Sequence, residues 1–201
     1  DTDKSFDLFA PRISAGFALN EAVNLYATLA QSDQVPSQSE IEKNPDLNAA
    51  TARNLEFGVK GRSRDWGFDL ALFHTTVEDE IVSVLIDGET VFQNAGETEK
   101  NGLEAEGRLR LAGNWWLGGS YTWSDFSFSN FSEIINGRPI DRSGNHLPFV
   151  PEHKYSLFAD WRHPSGFSAR IQADSWGEYW MDNANTEKYA GYDFVTSLNL
   201  G

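Results

Sequence analysis

Apolar and polar residues alternate along nine stretches of this chain, and the connectors between them are short and long by turns. Short turns fall near Asn20-Glu21, Ser63-Asp65, Gly113-Asn114 and Pro164-Gly166. Longer polar segments, rich in Gly, Asn and Ser, fall near 32–50, 84–98, 125–150 and 182–190. An antiparallel up-and-down meander of about nine strands would therefore gather its tight turns at one end and its long loops at the other. That is the layout of a transmembrane β-barrel wall. A soluble sheet has no general reason to sort its loops by end.

The alternation holds segment by segment. In 12–20, Ile13, Ala15, Phe17 and Leu19 oppose Arg12, Ser14, Gly16 and Asn20. In 103–111, Leu103, Ala105, Leu109 and Leu111 oppose Glu104, Glu106, Arg108 and Arg110. In 154–163, Tyr155, Leu157, Ala159 and Trp161 oppose Lys154, Ser156, Asp160 and Arg162, with Phe158 out of pattern. In 167–175, Phe167, Ala169, Ile171 and Ala173 oppose Ser168, Arg170, Gln172 and Asp174. Runs of about 9–13 residues, at roughly 3.3 Å each and tilted near 40°, cross an apolar band of about 25 Å. Mid-strand charges need water or partners, so the polar face suits a wet lumen. Trp66, Trp115, Tyr121, Trp123, Trp161 and Trp176 lie near strand ends, where membrane-interface aromatics belong. Ile81–Ile86 reads as a hairpin reaching past the membrane, and Gly118-Gly119 as a bulge or a close packing contact.

Composition narrows the alternatives. No run of 18 apolar residues occurs in the 201, which excludes a transmembrane helix but not a barrel. Cysteine is absent, and a net charge of −14 speaks against nucleic acid as a partner. Seven Trp, 14 Phe and 6 Tyr suit strands and interface girdles. No catalytic site is expected: there is no G-x-S-x-G, and His74, His146, His153 and His163 form no pairing with a Ser and an acid. No metal site and no cofactor are expected either, because Asp182–Glu187 lacks the spaced oxygen ligands of a calcium loop. Asp1 begins without a signal sequence, and 194–201 stops in the middle of an alternating run, which favours a cut from a longer protein. With no internal repeat and no linker, residues 1–201 read as one partial barrel region with no plug domain.

Several motifs resemble the C-terminal barrel region of TonB-dependent outer-membrane receptors, particularly the ferric-siderophore type. Asn44-Pro45-Asp46-Leu47 followed by Thr51-Ala52-Arg53-Asn54-Leu55-Glu56-Phe57-Gly58-Val59-Lys60 is similar to that family's NP-x-L loop and E-x-G-x-K strand, with Ala49-Ala50 where Pro-Glu is usual. Asn94-Ala95-Gly96 with Gly102-Leu103-Glu104 matches NAG…G-x-E, and Gly144 to His153 matches G-x-x-LP-x-VP-x-H. Leu25-Tyr26-Ala27 with Pro36 and Glu40-Ile41 resembles LYA…P…EL, and Asn185-Thr186 with Tyr189 and Tyr192 fits a later strand start. The five stand in the family's order across about 170 residues.

The resemblance implies a bacterial outer-membrane barrel of about 22 strands around an N-terminal plug, driven by the TonB complex. This chain would supply about nine of those strands, and no segment resembles a plug or an energy-coupling box. Nine are too few to close such a barrel, and an isolated sheet would carry two open edges prone to aggregation. The implied function is uptake of ferric siderophores or similar iron chelates, with outer-membrane lipid and the TonB complex, reached through a plug, as the other partners. Ligand contacts are then expected in the long loops at Arg138, Arg142, His146 and Trp180, with Phe128, Phe131, Trp176 and Tyr179 completing an aromatic and cationic rim. Two alternatives stay open on sequence alone. One is a plug-less, porin-like channel. The other is a soluble β-sandwich binding module that would bury Leu103, Leu109, Leu157 and Ile171.

Overall fold

A computed structural model describes residues 4–86, 88–111 and 113–201; Asp1, read above as a start without a signal, lies outside them. In chain order the strands are β1 (Arg12–Ala18), β2 (Val23–Gln34), β3 (Ala50–Arg62), β4 (Trp66–Glu78), β5 (Ile81–Ile86), β6 (Glu89–Asn94), β7 (Glu97–Arg110) and β8 (Trp115–Asn130). They continue as β9 (Ser132–Ile135), β10 (Arg138–Asp141), β11 (His153–Arg162), β12 (Ser168–Trp176), β13 (Tyr179–Trp180), β14 (Lys188–Tyr189) and β15 (Tyr192–Leu200). One short helix, α1 (Gln38–Lys43), sits between β2 and β3 and is closed by a Ser37/Glu40 capping box.

Among the described residues, nine strands form one antiparallel sheet in the order β1-β2-β3-β4-β7-β8-β11-β12-β15. Every neighbour in it is also the next wall strand along the chain, so the meander expected from the alternation is the observed topology. The short turns gather at one end, and the side hairpins β5–β6, β9–β10 and β13–β14 all rise from the other. The Ile81–Ile86 hairpin stands there as expected. Two strands outrun their expected length: β7 has 14 residues and β8 has 16. Their upper ends stay paired, from Glu99 opposite Ser127 down to Asn101 opposite Asp125, and carry the ladder above the apolar band.

Register sorts the two faces. Ala27, Phe57, Leu72 and Leu103 align across four strands on one face, as do Leu109, Leu117, Ala159 and Ile171. On the other face a row runs Asn24, Lys60, Asp69, Glu106, Ser120, Ser156 and Asp174. Charges on that face find partners in it: Lys60 Nζ is 3.1 Å from Asp69 and Arg170 is 3.2 Å from Asp160. Among the described residues, no second layer covers the apolar face. Leu109, Leu157 and Ile171 are about half exposed, at 49%, 53% and 48%. A sandwich would have buried them, so that alternative fails.

Glycine explains the departures from alternation. Phe158 falls on the polar face because it lies directly opposite Gly118, whose missing Cβ leaves room for the ring. The Arg170 guanidinium then stands 4.1 Å from the Phe158 ring centre. The same cross-strand device pairs Tyr26 with Gly58 and Phe73 with Gly102. At Gly118-Gly119 the register runs through without a shift, so of the two sequence readings close packing is the one observed. A Cβ on Gly119 would lie 2.6 Å from the Ser156 carbonyl oxygen.

Candidate functional site

The buried core lies at the loop end rather than in the wall. Val82, Val84, Ala95, Phe128, Phe131 and Leu147 form one cluster, contributed by β5, the residue after β6, the end of β8 and the 131–152 connector. Phe128 and Phe131 are 0% and 1% exposed, with ring centres 4.7 Å apart. They are the floor of the loops and offer a ligand no rim, contrary to their expected place beside the arginines. The alternation in Asp125-Phe126-Ser127-Phe128 already carried that signal, since a strand continuing past the membrane buries its Phe side against whatever loop folds over it.

Polar contacts bind the loops together over this core. Arg142 Nε donates to Glu133 Oε2 at 2.6 Å, and both side chains are largely buried. Asn183 Nδ2 donates to Glu133 Oε1 and to the Ser83 carbonyl, each at 3.0 Å, so one amide joins three connectors. Asn185 and His146 clamp each other: the His146 N–H donates to Asn185 Oδ1 at 2.7 Å, and Asn185 Nδ2 donates to the His146 carbonyl at 2.9 Å. Asp182 accepts from the Thr186 N–H, the Thr186 hydroxyl and the Glu187 N–H. Burial pushes its carboxyl up, but those donors and the nearby Arg142 outweigh it, and the net shift is below the usual carboxylate range.

The four expected contact residues separate into three places. His146 and Trp180 share a cleft of ≈150 Å³ between the top of β8 and the β13–β14 hairpin. His146 Nδ1 lies 3.6 Å from Asp125 there, and Lys188 stands 4.5 Å from the Trp180 ring centre while pairing with Glu178. Arg142 lines a different cavity, of ≈460 Å³, with its Nε already committed to Glu133. Arg138 stands apart and exposed on β10, opposite Ile135. Sequence reasoning missed Glu133, Asn183, Phe149 and Met181, which line the larger cavity. The partners of Asn183, Glu133 and Ser83, are 50 and 100 residues distant in the chain, and no spacing rule reaches so far. Among the described residues, no group of three or more His, Cys, Asp or Glu is placed to hold a metal ion.

Comparison with known proteins decides the family. The model for "TonB dependent receptor-like, beta-barrel" matches residues 1–201. The chain belongs to this family. Its wall is therefore an outer-membrane one, with the apolar face toward lipid and the polar face toward the lumen. Among curated relatives, the pesticin receptor of Yersinia enterocolitica is 29% identical over 149 residues, covering 71% of this chain and 21% of the relative. The catecholate siderophore receptor Fiu of Escherichia coli is 26% identical, with 81% and 22% covered. The ferrichrome outer membrane transporter/phage receptor of Escherichia coli is 24% identical, with 98% and 26% covered. The chain thus spans about a fifth to a quarter of the length of these relatives. The solved structure of the ferric yersiniabactin uptake receptor FyuA from Yersinia pestis superposes with a TM-score of 0.71 at 23% identity, over 93% of this chain and 29% of that one. The unliganded ferric citrate transporter FecA gives 0.76 at 21% identity, over 95% and 30%. At these identities the structures speak for the fold alone, and the fold is the receptor barrel wall.

Proposed function

We propose that residues 1–201 serve as wall and loop scaffold in a receptor for TonB-dependent uptake of ferric siderophores or similar iron chelates. The observation that carries this reading is the family match over the whole chain, together with relatives named as siderophore or ferrichrome receptors. In this reading the chain performs no bond chemistry. The long loops meet the chelate on the cell exterior, His146 and Trp180 present an aromatic surface in one cleft, and Arg142 and Arg138 contribute from neighbouring positions. The polar face lines the passage and meets a plug domain supplied outside these residues, through which the TonB complex acts. Mid-wall ion pairs such as Lys60–Asp69 and Arg170–Asp160 keep that face charged yet compensated. A plug-less channel would conduct without energy input. The deciding experiment is radioiron accumulation from ferric chelates by cells carrying the full-length receptor, with and without a protonophore and with tonB deleted. Uptake that survives both treatments would refute the energised reading.

A further inference from the structure

Charge compensation along the polar face stops short of the short-turn end. Beside the Lys60–Asp69 pair stand Glu56, Glu104 and Glu106, so the middle of the face is acidic. By register, the next row toward the short turns reads Arg62, Gly67, Arg108, Gly118 and Phe158. The row beyond it reads Arg110, Trp116, Asp160 and Arg170. The carboxylates within reach are taken: Arg170 pairs with Asp160, and Arg110 with Asp65 of the adjoining turn. Among the described residues, Arg62 and Arg108 have no ion pair, and both are exposed.

Gly67 is the informative position. It lies directly opposite Arg62 on one side and Arg108 on the other, with no side chain to fill the gap between them. Arg62 leans into that gap. A Cβ on Gly67 would lie 3.4 Å from both Cδ and Nη1 of Arg62. The same Nη1 donates to the Gly61 and Phe68 carbonyls, at 3.1 and 3.0 Å, which holds the guanidinium in place. Arg108 is steadied from the far side, 5.5 Å from the Trp116 ring centre, while the Phe158 ring fills the space over Gly118 beside it. Two cations so placed repel each other, and a planar carboxylate between their forks turns that repulsion into two charge-assisted contacts.

We infer that Arg62 and Arg108 form a two-guanidinium seat for a carboxylate of the plug domain, an Asp or Glu brought down over Gly67 when the plug fills the lumen. The inference rests on the receptor reading above, which supplies the plug. While the face is open, water screens the two cations. Under a plug that water is displaced, and a guanidinium without a counter-ion becomes costly. The wall answers its other lower-row arginines with Asp160 and Asp65, so the charge missing from this row comes from the covering domain. The seat stands at the short-turn end, opposite the loop cavities, so a chelate arriving from outside meets the plug before it.

The test is zero-length carbodiimide coupling in the full-length receptor, read by peptide mass spectrometry. Arg62→Lys and Arg108→Lys, made singly, each place an amine at the seat. Lys60 and Asp69, 3.1 Å apart on the same face, should couple in every sample and show that the reagent reaches the lumen. Each variant is expected to give a new link to an Asp or Glu of the plug, absent from the wild type. Arg62→Glu with Arg108→Glu should also loosen the plug: conductance in planar bilayers, at a urea concentration that leaves the wild type closed, is expected to rise about tenfold. Links to wall carboxylates alone, no link while Lys60–Asp69 couples, a link that forms only with a carboxylate-bearing ferric chelate present, or conductance unmoved by the double reversal each overturns the seat and leaves energised uptake standing. A plug link in a receptor whose iron uptake survives tonB deletion keeps the seat and removes the uptake reading.

Discussion

In the wall, Leu157 and Ile171 stand half exposed on one side of a single sheet, whereas at the loop end Phe128 and Phe131 are fully enclosed. Among the described residues, the wall is one sheet whose apolar face meets no second layer. Its backbone groups are satisfied strand to strand, and its apolar side chains rely on lipid for a neighbour, as spanning strands must. The loop end faces water and has built what the wall lacks: an apolar cluster, a buried ion pair and an amide that ties three connectors. Two stabilising principles thus meet within β8, which is wall at Leu117 and loop core at Phe128.

The sharpest way to break this contrast is to empty the loop core. Phe128→Ala should cost about 3–5 kcal/mol, seen as lost hydrogen-exchange protection in β5, β9 and the 131–152 connector, with the wall strands unchanged. Arg142→Ala comes next, at about 3 kcal/mol, because it leaves Glu133 buried without its cation; exchange should rise at 131–145 and 181–185 together, since Asn183 shares that carboxylate. The wall has its own sensitive points, where backbones or rings approach closely. Gly118→Val would set a side chain against the Phe158 ring and 2.7 Å from the Gly107 carbonyl oxygen, for about 1–3 kcal/mol in urea-induced unfolding from lipid vesicles. Leu157→Ala should change the same measurement by about 1 kcal/mol or less, because lipid tails replace the lost methyls, a refilling unavailable to Phe128.

Acid gives the smallest effect. The folded Asp182 carboxyl titrates below its unfolded value, so its contribution is present above the ordinary carboxylate range and is lost as pH falls through the lowered value. Exchange protection at 182–187 should therefore hold through mild acid and fail only below the usual aspartate range. Protection failing at higher pH would show that the Thr186 and Glu187 donors do not hold the carboxylate.

The wall was legible because a strand with lipid on one side and water on the other writes its faces into every second residue. Ile13, Ala15 and Phe17 against Ser14 and Gly16 suffice for β1. Phe158 broke the rule for a reason visible only across the ladder, since its partner Gly118 lies 40 residues earlier. The loop end was legible in residue type but not in role. By residue type Arg142 reads as a free cation, but Glu133 lies against it, and Phe131 reads as a rim aromatic, but Val82 and Leu147 enclose it. Contacts between loops follow from the curvature and stagger of the wall that carries them, and no local pattern records these.

The meander has one more consequence, a matter of parity. Strands alternate in direction, so with nine of them β1 and β15 run the same way, both from the loop end to the short-turn end. Joined to each other they would make a parallel seam. A closed wall that stays antiparallel throughout must therefore insert an odd number of further strands between those two edges, which brings the total to the even count that bacterial barrels keep.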